Sequence, residues 1–185
     1  IKLNTFSDNS PEEFRMALRQ MVLSGSNKLI LDLRGNPGGY LSGAVSVAGW
    51  FLPAGTVVVR EDSQGKGADE ILKSPGPGIF DGKIKLAILV DGGSASASEI
   101  LAGALHEYGK AVLIGEKTFG KGTVQELLEI EDGATLKVTI ARWLTPKGKS
   151  ISKEGIKPDI EVKAPAEPKE NEDIQLDKAI EYLTK

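Results

Sequence analysis

The sequence of 185 residues predicts an α/β domain built on a largely parallel β-sheet. The stretches Lys28–Leu33 and Ile84–Asp91 are near-continuous apolar runs, which are typical of strands buried on both faces. Each run is followed by a glycine-rich loop and then by an apolar stretch of helical character. Buried strands that alternate with helices in this way favour a parallel sheet with helices packed against it.

Local patterns predict further elements along the whole chain. The helix at 10–27 starts with a capping box in which Ser10 is the N-cap and Glu13 completes the box. Alternating apolar residues and an Asp132–Gly133 turn predict a hairpin at 124–146. The other predicted elements are strands at 1–6, 55–62, 70–72 and 111–116, and helices at 41–52, 96–108 and 173–185.

We divide the chain into a core at 1–163 and a carboxyl-terminal part at 164–185. The second part begins with a linker rich in Pro, Glu and Lys at 164–171. The helix after this linker is too short to form a domain, so we expect it to pack on the core.

Composition excludes several kinds of function. The net charge of −3, with acidic and basic residues interspersed, gives no basic face for nucleic acid. Because the chain has no cysteine, it has neither disulfides nor thiolate metal sites. No His, Asp and Glu cluster has metal-ligand spacing, so we expect neither a metal nor another cofactor. No apolar segment is long enough to span a bilayer.

Two glycine-rich loops, RGNPGGY and DGGSASAS, are the candidate site loops. Each follows a buried strand, and sites in open α/β sheets form beyond the carboxyl ends of strands. The start of a helix favours negative charge, which suits either a phosphate or the oxyanion of an acyl-transfer intermediate. Phosphate is the weaker interpretation, because neither loop has the Walker or the G-x-G-x-x-G spacing.

Ser96 is the best candidate for a nucleophile. It lies at the turn before a predicted helix, and the N–H group of Ala97 can face a developing oxyanion. A tight turn with a serine cap would explain one serine, but not the small residues crowded around it. Ser94 and Ser98 suit the turn and the helix instead.

The residues alone leave the general base open. His106 lies ten residues beyond Ser96, about 15 Å along a continuous helix, and a histidine at a helix end usually binds the last carbonyl groups. Lys117 and Lys121 lie in the segment GEKTFGKGTVQ, and Lys121 stands between two glycines. A lysine base must be neutral, which requires burial that lowers its pKa by several units from about 10.4. Most lysines in glycine-rich loops are solvated.

Five ordered blocks closely resemble the carboxyl-terminal processing peptidases, also called tail-specific proteases. The blocks are LDLRGNPGG, GSASASEILAGAL, GEKTFGKGTVQ, ARWLTPKGKSI and GIKPDIEV, and they extend over nearly the whole chain. The resemblance implies a Clp protease/crotonase-like core of β-β-α units. It also implies a serine endopeptidase with a Ser–Lys dyad and an acyl-enzyme intermediate.

The resemblance assigns roles to particular residues. It implies that Ser96 is the nucleophile, that Lys121 is the general base and that Gln125 supports the lysine. The oxyanion hole would consist of the amides of Ala97 and Gly39. In the family, an asparagine is more common at the position of Asp91.

The resemblance also implies partners and a location. Substrates would be proteins with extended carboxyl-terminal tails, cut near their ends. Family members usually carry a PDZ domain and an amino-terminal signal or anchor ahead of the strand that IKLNTF matches, so we expect this chain to be a fragment or a processed form. The resemblance also implies a location outside the cytoplasm. It leaves open whether the protein forms a homo-oligomer.

Three other functions remain as alternatives. The chain could be a catalytically silent peptide-binding or scaffold core of the same fold. It could be an amidase with a Ser–Ser–Lys triad, although those enzymes have a much longer core. A crotonase-like acyl-CoA enzyme shares the fold and uses paired backbone amides, but it would not need Ser96.

Overall fold

The computed structural model describes residues 1–65, 67–130, 135–152, 154–165 and 172–185. The helices are α1 (Ser10–Leu23), α2 (Leu41–Ala48), α3 (Ala97–Glu107) and α4 (Ile174–Thr184). The strands are β1 (Lys28–Asp32), β2 (Val57–Asp62), β3 (Glu70–Lys73), β4 (Lys85–Val90), β5 (Val112–Gly115), β6 (Thr123–Glu129), β7 (Thr135–Leu144) and β8 (Ile160–Glu161). The secondary structure is therefore mixed α/β.

A four-stranded parallel sheet forms the centre of the domain, in the order β1-β4-β5-β8. Alternate side chains of β4 enter two different apolar clusters. Leu86 and Ile88 belong to the cluster that contains residues of α1, α2 and α3, whereas Ala87 and Leu89 pack with Ala179 of α4. Because side chains alternate across a strand, α4 covers one face of the sheet and the other helices cover the opposite face. The predicted parallel sheet with flanking helices is confirmed.

A second sheet is antiparallel and has the order β3-β2-β7-β6. The predicted hairpin corresponds to β6 and β7, in which Leu128 pairs with Leu136. Its predicted turn at Asp132–Gly133 lies outside the described residues. Strand β2 joins the hairpin through β7, where Glu61 pairs with Trp143. The sequence analysis predicts these strands, but not this pairing between distant segments.

Two amino-terminal predictions need correction. Residues 1–6 form isolated parallel bridges, Lys2 with Asp32 and Phe6 with Gly39, instead of a strand. Helix α1 has Asn9 as its N-cap and ends at Leu23, so it is shorter than predicted. Ser10 is not the cap, because its buried hydroxyl donates to the carbonyl oxygen of Ser7 at 2.8 Å.

Arg34 connects the end of β1 to the start of α4. Its guanidinium donates to Asp32 Oδ2 at 2.7 Å and to Asp173 Oδ1 at 2.8 Å. Asp173 caps α4, since the amide of Leu176 donates to its carboxylate. The hydrogen bond from Arg34 lowers the pKa of the Asp173 carboxyl. This ion pair therefore helps to hold α4 on the sheet, while the boundary between 1–163 and 164–185 stays a prediction.

Replacing Asp173 with Asn tests this attachment. The folded state lowers the pKa of Asp173 from 3.8, so the ion pair stabilises the fold at higher pH and is lost as the pH falls through the lower, folded pKa. Near neutral pH we expect the variant to be less stable by about 1 kcal/mol, because the pair is partly exposed. Below pH 3.8 this difference should shrink.

Urea denaturation at neutral and acidic pH measures both free energies of unfolding. Asp8→Asn is the matched control, since Asp8 is exposed near the start of α1. An Asp173→Asn variant that loses stability on acidification as steeply as the wild type would contradict the role of this carboxylate.

Candidate active site

The loops that follow β1 and β4 are joined to each other. The carbonyl oxygen of Asn36 accepts hydrogen bonds from the amide of Ala95 and the hydroxyl of Ser98, both at 3.0 Å. The hydroxyl of Ser94 donates to the carbonyl oxygen of Leu33 at 2.9 Å. Because β1 and β4 are parallel neighbours, their carboxyl ends bring the two predicted site loops together. Ser94 and Ser98 lie in the turn and in α3, as predicted.

Asp91 contributes a further contact between these loops. Its Oδ1 atom accepts from the amides of Gly35 at 2.9 Å and Gly93 at 2.8 Å. An asparagine oxygen could accept the same two hydrogen bonds. The presence of aspartate at this position therefore leaves the turn intact.

Ser96 has an unusual backbone conformation, with φ 55° and ψ −116°. Positive φ is uncommon for a residue other than glycine, and such strain persists only where surrounding contacts fix it. Ser96 is the residue before α3, and it is partly exposed. The amide of Ser96 donates to Glu99 Oε2 at 3.0 Å, which helps to fix this conformation.

Glu99 is fully buried and accepts hydrogen bonds at both carboxylate oxygens. Oε1 accepts from the hydroxyl of Thr118 at 2.6 Å and from the amide of Gly120 at 2.7 Å. Oε2 accepts from the amides of Lys121 at 2.9 Å and Ser96 at 3.0 Å. Because both amides bind the same oxygen atom, the distance between the amide nitrogens of Ser96 and Lys121 is at most the sum of these two hydrogen-bond lengths.

Glu99 is a residue of the candidate site that is not among the residues predicted above. A usable signal is present, because Ser96 and Glu99 have the Ser-x-x-Glu spacing of a capping box at the start of a helix. That signal predicts the bond between Glu99 and Ser96. It does not predict the bonds to the loop at 118–121, which depend on the tertiary structure.

The glycine loop lies directly against the serine. A Cβ atom added to Gly38 would stand 2.8 Å from the Cβ atom of Ser96 and 3.0 Å from the amide nitrogen of Ala97. Gly38 also has φ +104°, which side chains rarely adopt. Only glycine therefore fits at this position without a shift of the backbone.

Two amides beside Ser96 are available to a ligand. Gly38 donates its amide to Asn36 Oδ1 at 2.9 Å, and Tyr40 donates its amide to the carbonyl oxygen of Phe6 at 2.7 Å. Within the described residues, the amides of Gly39 and Ala97 have no hydrogen-bond acceptor. These are the two amides that the family resemblance assigns to the oxyanion hole.

The side chains of Lys121 and Gln125 are not engaged with the serine. Lys121 is exposed, as most lysines in glycine-rich loops are, and the burial that a lysine base requires is not observed. Gln125 is also exposed and lies in β6, just after a register shift between Val124 and Gln125. Across the described ranges, no hydrogen bond joins the side chains of Ser96, Lys121 and Gln125. Glu99 thus holds the backbones of Ser96 and Lys121 close together, whereas no hydrogen bond joins their side chains among the described residues.

The other two candidate bases lie outside this arrangement. His106 Nε2 pairs with Asp159 Oδ1 at 2.8 Å, and not with the last carbonyl groups of α3 as predicted. Lys117 is exposed. In the part of the chain that the structure describes, no group of three or more His, Asp or Glu side chains could hold a metal ion.

Comparisons with known proteins agree with this architecture. The model of Peptidase family S41 matches residues 1–162. A carboxyl-terminal-processing protease from Synechocystis sp. is 43% identical over 188 residues, covering 100% of this chain and 43% of the relative. A probable CtpA-like serine protease from Staphylococcus epidermidis is 42% identical over 166 residues, covering 89% of this chain and 33% of the relative.

A solved structure also resembles the whole chain. The photosystem II D1 C-terminal processing protease superposes with a TM-score of 0.79 at 34% identity, covering 100% of this chain and 46% of that protein. This chain therefore spans less than half the length of the relatives it matches. The sequence, the fold and the arrangement around Ser96 lead to one conclusion: the chain belongs to peptidase family S41.

Proposed function

We propose that this chain is the catalytic part of a serine endopeptidase that cuts protein substrates near their carboxyl termini. One observation carries the proposal: Glu99 Oε2 binds the amides of both Ser96 and Lys121. The backbones of the proposed nucleophile and the proposed base are thereby held close together on separate segments. The relatives named as carboxyl-terminal-processing proteases support the choice of substrate.

In the first step, the neutral amine of Lys121 takes the proton of the Ser96 hydroxyl. Ser96 Oγ forms a bond to the carbonyl carbon of the substrate, and the carbonyl electron pair moves onto oxygen. The amides of Ala97 and Gly39 then donate to this oxyanion. Each such donor is worth on the order of 3–4 kcal/mol in the reaction barrier.

In the second step, the ammonium group of Lys121 gives its proton to the leaving nitrogen, and the C–N bond breaks. The acyl group stays on Ser96 as an ester. Lys121 then takes a proton from water, which attacks the ester. The bond between Ser96 Oγ and the acyl carbon then breaks as the ammonium group of Lys121 gives its proton to Oγ. This restores the serine hydroxyl and the neutral amine, and the released carboxylic acid loses its proton to solvent.

Because Lys121 is exposed, the bound substrate itself has to shield the lysine amine from water. A neutral lysine is favoured where water is excluded, and an extended peptide lying over the two loops would exclude it. Gln125, two residues into β6, would then orient the amine through a hydrogen bond. In this proposal, substrate binding completes the dyad.

A catalytically silent peptide-binding core is the second candidate. Among the described residues, no hydrogen bond joins the side chains of Ser96 and Lys121, and this observation favours the silent core. A fluorophosphonate probe separates the two candidates, because a stable adduct on Ser96 requires an activated hydroxyl.

The family resemblance extends the proposal to the surroundings of the chain. We expect an upstream PDZ domain to capture the ends of substrates, and we expect the full-length protein to act outside the cytoplasm, anchored to a membrane upstream. Among the described residues, no helix is long and apolar enough to cross a bilayer. A homo-oligomer remains compatible with the proposal.

Alanine substitutions test the identity of the base. We expect Ser96→Ala and Lys121→Ala to lower kcat by at least about 10²–10⁴-fold, the usual contribution of proton transfer. His106→Ala should keep near-normal activity, because His106 pairs with Asp159. Cleavage of a fluorogenic peptide by the natural full-length protein measures these rates. Retained activity in Lys121→Ala, or total loss in folded His106→Ala, would overturn the assignment.

Replacing Glu99 with Gln tests the contact that joins the two segments. The new NH₂ group cannot accept, so at least one buried donor loses its partner at a cost of about 1–3 kcal/mol. We expect lower stability together with a lower kcat, measured by urea denaturation and peptide cleavage. Glu13→Gln, on the exposed surface of α1, is the matched control. Full activity in Glu99→Gln would show that this carboxylate does not organise the site.

A further inference from the structure

The exposed aromatic residues of the chain lie beside the proposed site. The sequence contains two Trp, three Tyr and five Phe residues, all within the described ranges. Only Tyr40 and Phe119 are exposed, at 56% and 64%. Tyr40 directly follows Gly39, and Phe119 lies two residues before Lys121. The two rings therefore stand on the segments that supply the proposed oxyanion amide and the proposed base.

The backbone of Tyr40 is fixed. Its amide donates to the carbonyl oxygen of Phe6 at 2.7 Å, and its carbonyl oxygen accepts from the amide of Gly43 at 3.1 Å. Tyr40 is also the N-cap residue of α2. An exposed ring on a fixed backbone loses little conformational entropy when it contacts a ligand.

The backbone of Phe119 is fixed as well. Its amide donates to the carbonyl oxygen of Ser94 at 3.0 Å, in the loop that leads to the serine. The residues on either side, Thr118 and Gly120, both donate to the buried carboxylate of Glu99. The exposed ring thus belongs to a segment that hydrogen bonds to Ser94 and Glu99 tie to the proposed nucleophile.

The other neighbours of Ser96 offer little apolar surface. Gly38 lies against Ser96, and Ala95 and Ala97 flank it in sequence. Small residues let a substrate backbone come close, but they cannot surround a large side chain. Aromatic residues supply most of the contact energy at recognition sites. The exposed rings of Tyr40 and Phe119 are the large apolar side chains that the loops at 34–40 and 116–122 present to solvent.

We propose that Tyr40 and Phe119 determine substrate specificity by packing against apolar side chains next to the scissile bond of an extended peptide. This inference rests on the proposed peptidase function and names the substrate class of the same site. Peptides with leucine or phenylalanine beside the scissile bond are bound by the rings, whereas peptides with small polar residues there lack this contact.

Two peptides that differ only beside the scissile bond test the inference. One carries leucine on both sides of the bond, and the other carries serine. For the natural full-length protein, the ratio of kcat/KM values should favour leucine. Tyr40→Ala and Phe119→Ala should each lower this ratio at least about tenfold, the usual effect of an apolar contact. Tyr40→Phe and Phe119→Tyr keep the ring and should restore the ratio.

Leu23→Ala is the control for loss of an exposed apolar side chain, since Leu23 lies at the end of α1 and is 76% exposed. It should leave the ratio unchanged. Phe119→Arg provides a second test by gain of function, because it should raise the kcat/KM ratio of a glutamate peptide to the leucine peptide above that of the wild type.

The outcomes separate this inference from the function on which it rests. If the wild type cleaves neither peptide, the peptidase proposal and this inference both fail. If it cleaves the peptides and both alanine variants keep the wild-type preference, only the specificity role is overturned. The specificity role is also overturned if Phe119→Arg leaves the preference between the glutamate and leucine peptides unchanged. In either case the two rings make contacts other than those with substrate.

Discussion

The candidate site depends on one buried carboxylate. Glu99 is inaccessible to solvent, and burial of a charge is very costly unless hydrogen bonds satisfy it. Its four donors belong to two segments, the residue before α3 and the loop after β5. Moving either segment would leave part of this charge unsatisfied. The fold thereby fixes the backbones of Ser96 and Lys121, while the lysine side chain stays exposed to solvent.

The parallel sheet explains why the glycine loop after β1 lies next to Ser96, in the loop after β4. Because β1 and β4 are adjacent and parallel, their following loops meet, and Asn36 joins them through hydrogen bonds. Gly38 then allows close approach to Ser96, and the amides of Gly39 and Ala97 have no acceptor among the described residues. The proposed nucleophile, the proposed oxyanion donors and Lys121 thus come from three loops at the carboxyl edge of the sheet.

Much of this arrangement could be predicted from local sequence. Apolar runs identify β1 and β4, and the ordered family blocks point to Ser96 and Lys121. The pairing of β2 with β7 could not be predicted, because it joins distant segments. The role of Glu99 is not predictable for the same reason, since three of its four donors lie about twenty residues further along the chain. Exposure also needs the structure: the sequence leaves open whether Lys121 is buried, as a lysine base requires, or solvated, and the structure shows it exposed.

A crystal structure of the natural full-length protein inhibited by a fluorophosphonate would test the central claim most directly. We expect a phosphonyl group bonded to Ser96 Oγ, with its oxygen about 2.7–3.1 Å from the amide nitrogens of Gly39 and Ala97. We also expect that Glu99 still binds the amides of Ser96 and Lys121, with the lysine amine turned toward Ser96 Oγ. An adduct whose oxygen points away from both amides, or a lysine that remains in solvent, would contradict the account.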